Sequence, residues 1–196
     1  FETFTNDSPN RVFQTWIDVV GYSADEFFPT PHNGNGSGAM CGSDPAVGHI
    51  LAAWNALSGR WCVPVDYNNA NFPYYSEIER TWAAGQDWTV NGVEALTLHY
   101  MAGPVTDVTS PMYVRVEDGA GKSAVAVNPD PNAVKQTTWQ AWSIPLADLA
   151  AAGVNTKAIK KLVIGIGEQT NRTADGSGRI YFDAIRLTRL PAIIEP

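Results

Sequence analysis

Asp183 is a carboxylate set inside an otherwise apolar strand pattern, Gly178-Arg179-Ile180-Tyr181-Phe182-Asp183-Ala184-Ile185-Arg186-Leu187. Ile180 and Phe182 alternate with polar or amphipathic neighbours, and the apolar phase then moves by one residue to Ile185 and Leu187. Alternation marks a half-buried strand, and a one-residue slip is the mark of a β-bulge. An isolated buried charge is costly, so Asp183 needs an ion pair, hydrogen bonds or a cation. Glu2, in Phe1-Glu2-Thr3-Phe4, is its natural partner. In this reading the first and last strands lie side by side and the two carboxylates share a calcium ion, which takes roughly six to eight oxygen ligands. Asn35, in a Gly-rich loop, is a further candidate oxygen ligand. The alternative leaves Glu2 solvated and ties Asp183 into backbone N–H groups at the bulge.

A second constellation comes from strand parity. If Ile78, Leu96, Leu98, Tyr100, Val114 and Val116 point inward, then Tyr75, Glu77, Glu79, His99, Tyr113, Arg115 and Glu117 share the opposite face. Flat sugar rings stack on aromatic faces, while carboxylates and guanidinium groups hydrogen-bond hydroxyls. The competing reading is a solvated face laced with cross-strand Glu/Arg pairs.

Of the seven tryptophans, Trp16, Trp82, Trp88, Trp139 and Trp142 sit within strand patterns and read as core. Trp54 and Trp61 lie beside a loop and are the candidate stacking platforms. His32, His49 and His99 are far apart in sequence and show no metal-ligand spacing. No nucleophile elbow, P-loop or dinucleotide fingerprint is present. Glu77 and Glu79 would sit about 7 Å apart on one strand face, a separation that glycosidases use. A catalytic pair flanks its bond from opposite sides, however, so no catalytic residue is assigned.

The elements that must position these groups follow from the rest of the chain. The 196 residues suit one large domain, and 44% hydrophobic content supports a sizeable core. A net charge of −7 argues against nucleic acid and an anionic membrane surface. No run reaches the roughly 18 apolar residues of a spanning helix. Cys41 and Cys62 fit either one disulfide in an oxidising compartment or two free buried thiols.

Strand patterns cover Val12–Ile17, Ile50–Trp54, Arg60–Tyr67, Tyr74–Trp82, Ala95–Tyr100, Met112–Glu117, Ser123–Val127, Trp139–Ile144 and Lys161–Ile166. Residues 29–45 read as a loop, and Asp118-Gly119-Ala120-Gly121 as a hairpin turn. The single helix candidate runs from Leu146 to Ala152 and is stopped by Gly153. The expectation is an all-β fold, a two-sheet antiparallel β-sandwich of jelly-roll type with one short helix. Residues 1–188 form the module, and 189–196 read as a linker or tail.

Five segments carry a family resemblance: Phe1-Glu2-x-Phe4; Phe13-Gln14-Thr15-Trp16-Ile17-Asp18; Tyr75-Ser76-Glu77-x-Glu79-Arg80-Thr81-Trp82 with Asp87-Trp88-Thr89; Trp139-x-x-Trp142-x-Ile144-Pro145-Leu146; and Ile164-Gly165-x-Gly167 before Gly176-x-Gly178. Together they resemble the calcium-binding jelly-roll carbohydrate-binding modules of large secreted bacterial proteins. The resemblance implies a metal role for the N-terminal Glu2 and the C-terminal Asp183. It also implies a polysaccharide or oligosaccharide partner, and a monomeric module of an extracellular or cell-surface multidomain chain. Ala184 departs from the pattern, which has a second Asp there, and the 41–62 region with its cysteines and tryptophans is peculiar to this chain. A structural or adhesion spacer and a small jelly-roll hydrolase or lyase are the competing functions.

Overall fold

The computed structural model describes residues 1–43, 48–53, 56–103 and 109–190. Among the described residues, nine strands form two antiparallel sheets. They are β1 (Ala39–Cys41), β2 (Val63–Asn68), β3 (Tyr75–Gln86), β4 (Ala95–Ala102), β5 (Met112–Asp118), β6 (Ser123–Val127), β7 (Gln140–Pro145), β8 (Ile159–Gly167) and β9 (Ser177–Thr188). One sheet has the order β1-β2-β9-β4-β7 and the other β3-β8-β5-β6. This is the expected jelly-roll sandwich. Two short helices, α1 (Val12–Thr15) and α2 (Leu146–Ala151), accompany the strands.

The inner faces meet in one apolar cluster. Ile78, Val114, Val116, Leu162 and Ile164 come from the four-stranded sheet, and Val63, Leu96, Leu98, Tyr100, Ile180 and Phe182 from the five-stranded one. Each large aliphatic or aromatic side chain so buried contributes roughly 1.5–3 kcal/mol relative to exposure. The inward parity expected for Ile78, Leu96, Leu98, Tyr100, Val114 and Val116 holds at every one.

The bulge in β9 also lies where the phase slip places it. His99 pairs with Asp183 and Thr97 with Arg186, so β9 carries one extra residue between these pairs. Ala184 takes it up with φ +46, a left-handed conformation uncommon for a residue with a Cβ.

Several expectations at the N-terminal end are corrected. Phe1–Phe4 is a turn closed by Phe4 N–H donating to the Phe1 carbonyl, and the neighbours of β9 are β2 and β4. Val12–Thr15 is helical. Val12 and Trp16 are both buried, and the Gln14 amide oxygen accepts the Arg11 N–H at the helix start. The i, i+4 spacing of the two buried residues suits a helix, and it overrides the apparent alternation. Residues 29–45 contain β1, pinned from outside because the buried Asp18 carboxylate accepts the Cys41 N–H. Cys41 and Cys62 are free and buried. Trp54 and residues 191–196 of the expected tail lie outside the described residues.

Candidate functional site

Two regions gather the sequence-predicted residues. The first is the outer face of the four-stranded sheet. Register places Glu77, Gly165, Tyr113 and Val127 in one row, and Glu79, Val163, Arg115 and Val125 in the next. The Tyr113 ring lies over Gly165, where a Cβ would stand 2.2 Å from the ring carbon bearing the hydroxyl. Only a bare backbone lets the ring cross the strand.

The Tyr113 hydroxyl thereby reaches Glu77 Oε1 at 2.5 Å. The Arg115 guanidinium and the Gln169 amide both donate to Glu77 Oε2, at 3.2 and 3.0 Å. Burial, and then the charge of Glu77, push the Tyr113 phenol far above its usual range, so it remains a donor. Glu79 is paired with Lys161 at 3.3 Å, and the Arg172 guanidinium lies over the Tyr75 ring at 4.8 Å.

Arg115 Nε is buried and has no hydrogen-bond partner among the described residues. Beside it, Val125 and Val127 are each 57% exposed. Tyr75, Glu77, Glu79, Tyr113 and Arg115 therefore do share a face. Tyr75 and Tyr113 are largely buried within it, and the exposed apolar surface comes from β6. Sequence reading missed Val125 and Val127, although their alternation with Ala124 and Ala126 marks them as outward.

His99 does not belong to this face. It lies on β4, in the other sheet, opposite Asp183 and Ala141. Parity says which side of its own strand a residue occupies, and the assignment of strands to sheets comes from long-range pairing. Trp61 is half-buried, stacked on His49 with centroids 4.0 Å apart and with the Arg60 guanidinium over its ring. Two aromatic and cationic partners thus occupy a ring that sequence reading offered as a platform.

The second region is an open cleft of about 690 Å³ at one end of the sandwich. Glu2 and Asp183 both line it, and both grip the same loop. Glu2 Oε1 accepts the Arg60 and Trp61 N–H groups, while Asp183 Oδ2 accepts those of Leu57 and Ser58. Asp183 Oδ1 takes the Ala184 N–H. Backbone donation from Trp61 and then Arg60 holds the Glu2 carboxyl below its usual range. Gly59, with φ +70, leaves room for the Glu2 carboxylate, because a Cβ there would lie 2.5 Å from Oε1.

Chain topology thus brings Glu2 and Asp183 together through a loop and not through strand pairing. For a calcium ion they offer two carboxylates in one cleft, and the remaining oxygens would come from backbone and solvent. Among the described residues, no three His, Cys, Asp or Glu side chains cluster as a metal site. Asn35 takes no part in this cleft. Its amide donates to the Ile17 and Glu77 carbonyls and its Oδ1 accepts the Ser37 N–H, which pins the loop to the edge of β3.

The sequence matches no family model and no curated protein. The fold is similar to solved structures. An exo-β-agarase aligns with a TM-score of 0.56 at 12% identity, over 79% of this chain and 23% of that one. The family 11 carbohydrate-binding module of Clostridium thermocellum, in complex with a β-1,3-1,4-mixed-linked tetrasaccharide, aligns with a TM-score of 0.51 at 11% identity, over 95% of both chains. A family 30 carbohydrate-binding module aligns with a TM-score of 0.51 at 15% identity, over 74% of this chain and 76% of that one. The chain thus spans about a quarter of the agarase it matches. At these identities the likeness is one of fold.

Proposed function

We propose that this chain is a non-catalytic carbohydrate-binding module that takes a polysaccharide or oligosaccharide on the outer face of its four-stranded sheet. One observation carries the reading. The Arg115 side chain, 19% exposed, is fixed by Glu77, which is itself held by Tyr113 and Gln169, and it lies beside the exposed Val125 and Val127. An immobilised donor next to an apolar ledge suits a sugar, whose C–H face packs on the ledge while its hydroxyls meet the donor. The sandwich shared with modules of families 11 and 30 supports the same reading.

Catalysis fits the face poorly. Glu77 is engaged by three donors and Glu79 by Lys161, so both carboxylates are held by the protein's own side chains and do not flank an open site. The proposal also keeps a calcium ion between Glu2 and Asp183, as a brace on the 57–61 loop. That part is supported by the meeting of the two carboxylates in one cleft and by the family resemblance. Placement within a larger secreted protein rests on the resemblance alone.

A structural or adhesion spacer is the second reading, favoured by how fully Glu77 is engaged by Tyr113, Arg115 and Gln169. A glycan array probed with the wild-type domain and with Arg115→Ala separates the two. Wild-type binding to a glycan class, weakened at least tenfold in the variant with little change in melting temperature, supports the module. No binding to any glycan supports the spacer, and release of reducing sugar would overturn both.

A further inference from the structure

The cleft at the end of the sandwich holds a group that neither the proposed face nor the proposed ion uses. Along β3, Ile78, Arg80 and Trp82 share the inward parity, and Arg80 pairs in register with the buried Leu162. An arginine therefore sits where the two sheets part. Among the described residues the Arg80 side chain makes no ion pair and no hydrogen bond, and its near neighbour is the Trp82 ring, 5.1 Å from the guanidinium carbon. Burial pulls its pKa down without a compensating carboxylate. This half-buried guanidinium, with no carboxylate against it among the described residues, can serve a guest in the cleft.

Its surroundings suit a sugar. Trp82 is half-buried and its ring is fixed by Trp88, which meets it edge-on with centroids 6.0 Å apart and an 87° interplanar angle. Phe1 lines the same cleft, together with Asp87 and Arg186. The cleft carboxylates are committed to other donors: Glu2 and Asp183 to backbone N–H groups, and Asp87 to the Thr89 N–H and hydroxyl. They leave Arg80 unneutralised, and the charge of Asp87, which the proposed ion does not use, disfavours an anionic guest in the same cleft. A volume of about 690 Å³ falls in the range of small-molecule sites, roughly 300–1,000 Å³.

We propose that this cleft is a second saccharide site, separate from the sheet face, that takes a neutral pyranose oligomer. A sugar ring lies against Trp82, held in place by Trp88, and Arg80 donates paired hydrogen bonds to neighbouring hydroxyls. The inference rests on the carbohydrate-binding reading but not on its choice of surface.

The test uses one array of neutral glycans (agaro-, cello-, laminari-, xylo- and β-1,3-1,4-mixed-linked oligosaccharides) and acidic ones (uronate and sulfated). Wild type, Arg80→Gln, Trp82→Phe and Arg115→Ala are compared, each checked by its melting curve, and hits are titrated by calorimetry. The expected result is neutral-glycan binding weakened at least tenfold in Arg80→Gln and in Trp82→Phe, with that component intact in Arg115→Ala. Should Arg80→Gln fail to fold, Trp82→Phe carries the same test. Loss confined to Arg115→Ala overturns the cleft and leaves the sheet face standing. Loss confined to the cleft variants does the reverse. Cleft-dependent binding of acidic glycans alone overturns the neutral assignment, and a wild type that binds nothing overturns both sites.

Discussion

The Tyr113 hydroxyl donates to Glu77 Oε1 at 2.5 Å across the bare backbone of Gly165. Gly165 sits on β8, between β3 and β5, so three strands combine to make this one bond. A hydrogen bond to a charged group is stronger than one between neutral partners, and Glu77 is only 4% exposed. The bond therefore ties the outer face together where Arg115 depends on it.

Gly165→Ala tests that arrangement. The added methyl meets the Tyr113 ring at 2.2 Å and must swing it away from Glu77. The expected cost is about 1–3 kcal/mol, the range for overpacking. In a double-mutant cycle with Tyr113→Ala the alanine at 165 should become nearly neutral, because contacting residues couple. An equal penalty in both backgrounds, read from denaturant unfolding, would place the strain in the backbone and not against the ring.

Asp183 shows how far the sequence reaches. Its phase slip located the bulge to within about a residue, since strand parity is a local property that folding preserves. Glu2 lines the same cleft as Asp183, but it does not come there by the strand pairing expected of it. Glu2 arrives on a turn, and both carboxylates close on the 57–61 loop, whose path no local pattern encodes. His99 was lost in the same way, because alternation cannot say which sheet a strand joins. Arg80 was legible in principle: it has the parity of Ile78 and Trp82, and a cation at an inward position is a flag.

Chelation bears on the proposed calcium. An ion that binds only the folded state stabilises by mass action, so EDTA should lower the melting temperature relative to millimolar calcium. Asp183→Asn should lower it as well and remove any further effect of EDTA. Superimposable melting curves with and without calcium would show that the N–H groups of Leu57, Ser58, Arg60 and Trp61 satisfy these carboxylates unaided.

The thiols give a direct check on the region around β1 and β2. Cys41 is buried and its pKa is raised by burial and then by Asp18. Cys62 is pushed up to about 12, again by burial first and then by the charge of Asp183. Since the thiolate is the reacting species, Ellman's reagent should label neither in the native domain at pH 8. Both should react in guanidinium without added reductant. A protein that shows no thiol until it is reduced would mean that the pair is bridged.

Acid should unfold the domain through carboxylates that hold turns. Asp118 heads the β5–β6 hairpin, with Oδ1 accepting the Ala120 and Lys122 N–H groups and Oδ2 that of Asn155. Donation from Asn155 leads the causes that hold its pKa below the ordinary 3.8. Asp175 lies below 3.8 as well. Burial alone would raise it, but the Ser110 hydroxyl and the Thr109 and Ser110 N–H groups outweigh that. A carboxyl whose folded pKa is depressed contributes stability that is present above the unfolded value and lost as pH falls through the folded one. Asp18 works in the opposite sense, because burial raises its pKa despite the N–H groups of Cys41, Gly21 and Val20. Asp118→Asn should therefore melt below wild type at pH 6, and the gap should narrow as pH falls below 3.8. A gap that stays constant from pH 6 to strongly acid solution would show that the charge of Asp118 does not hold the hairpin.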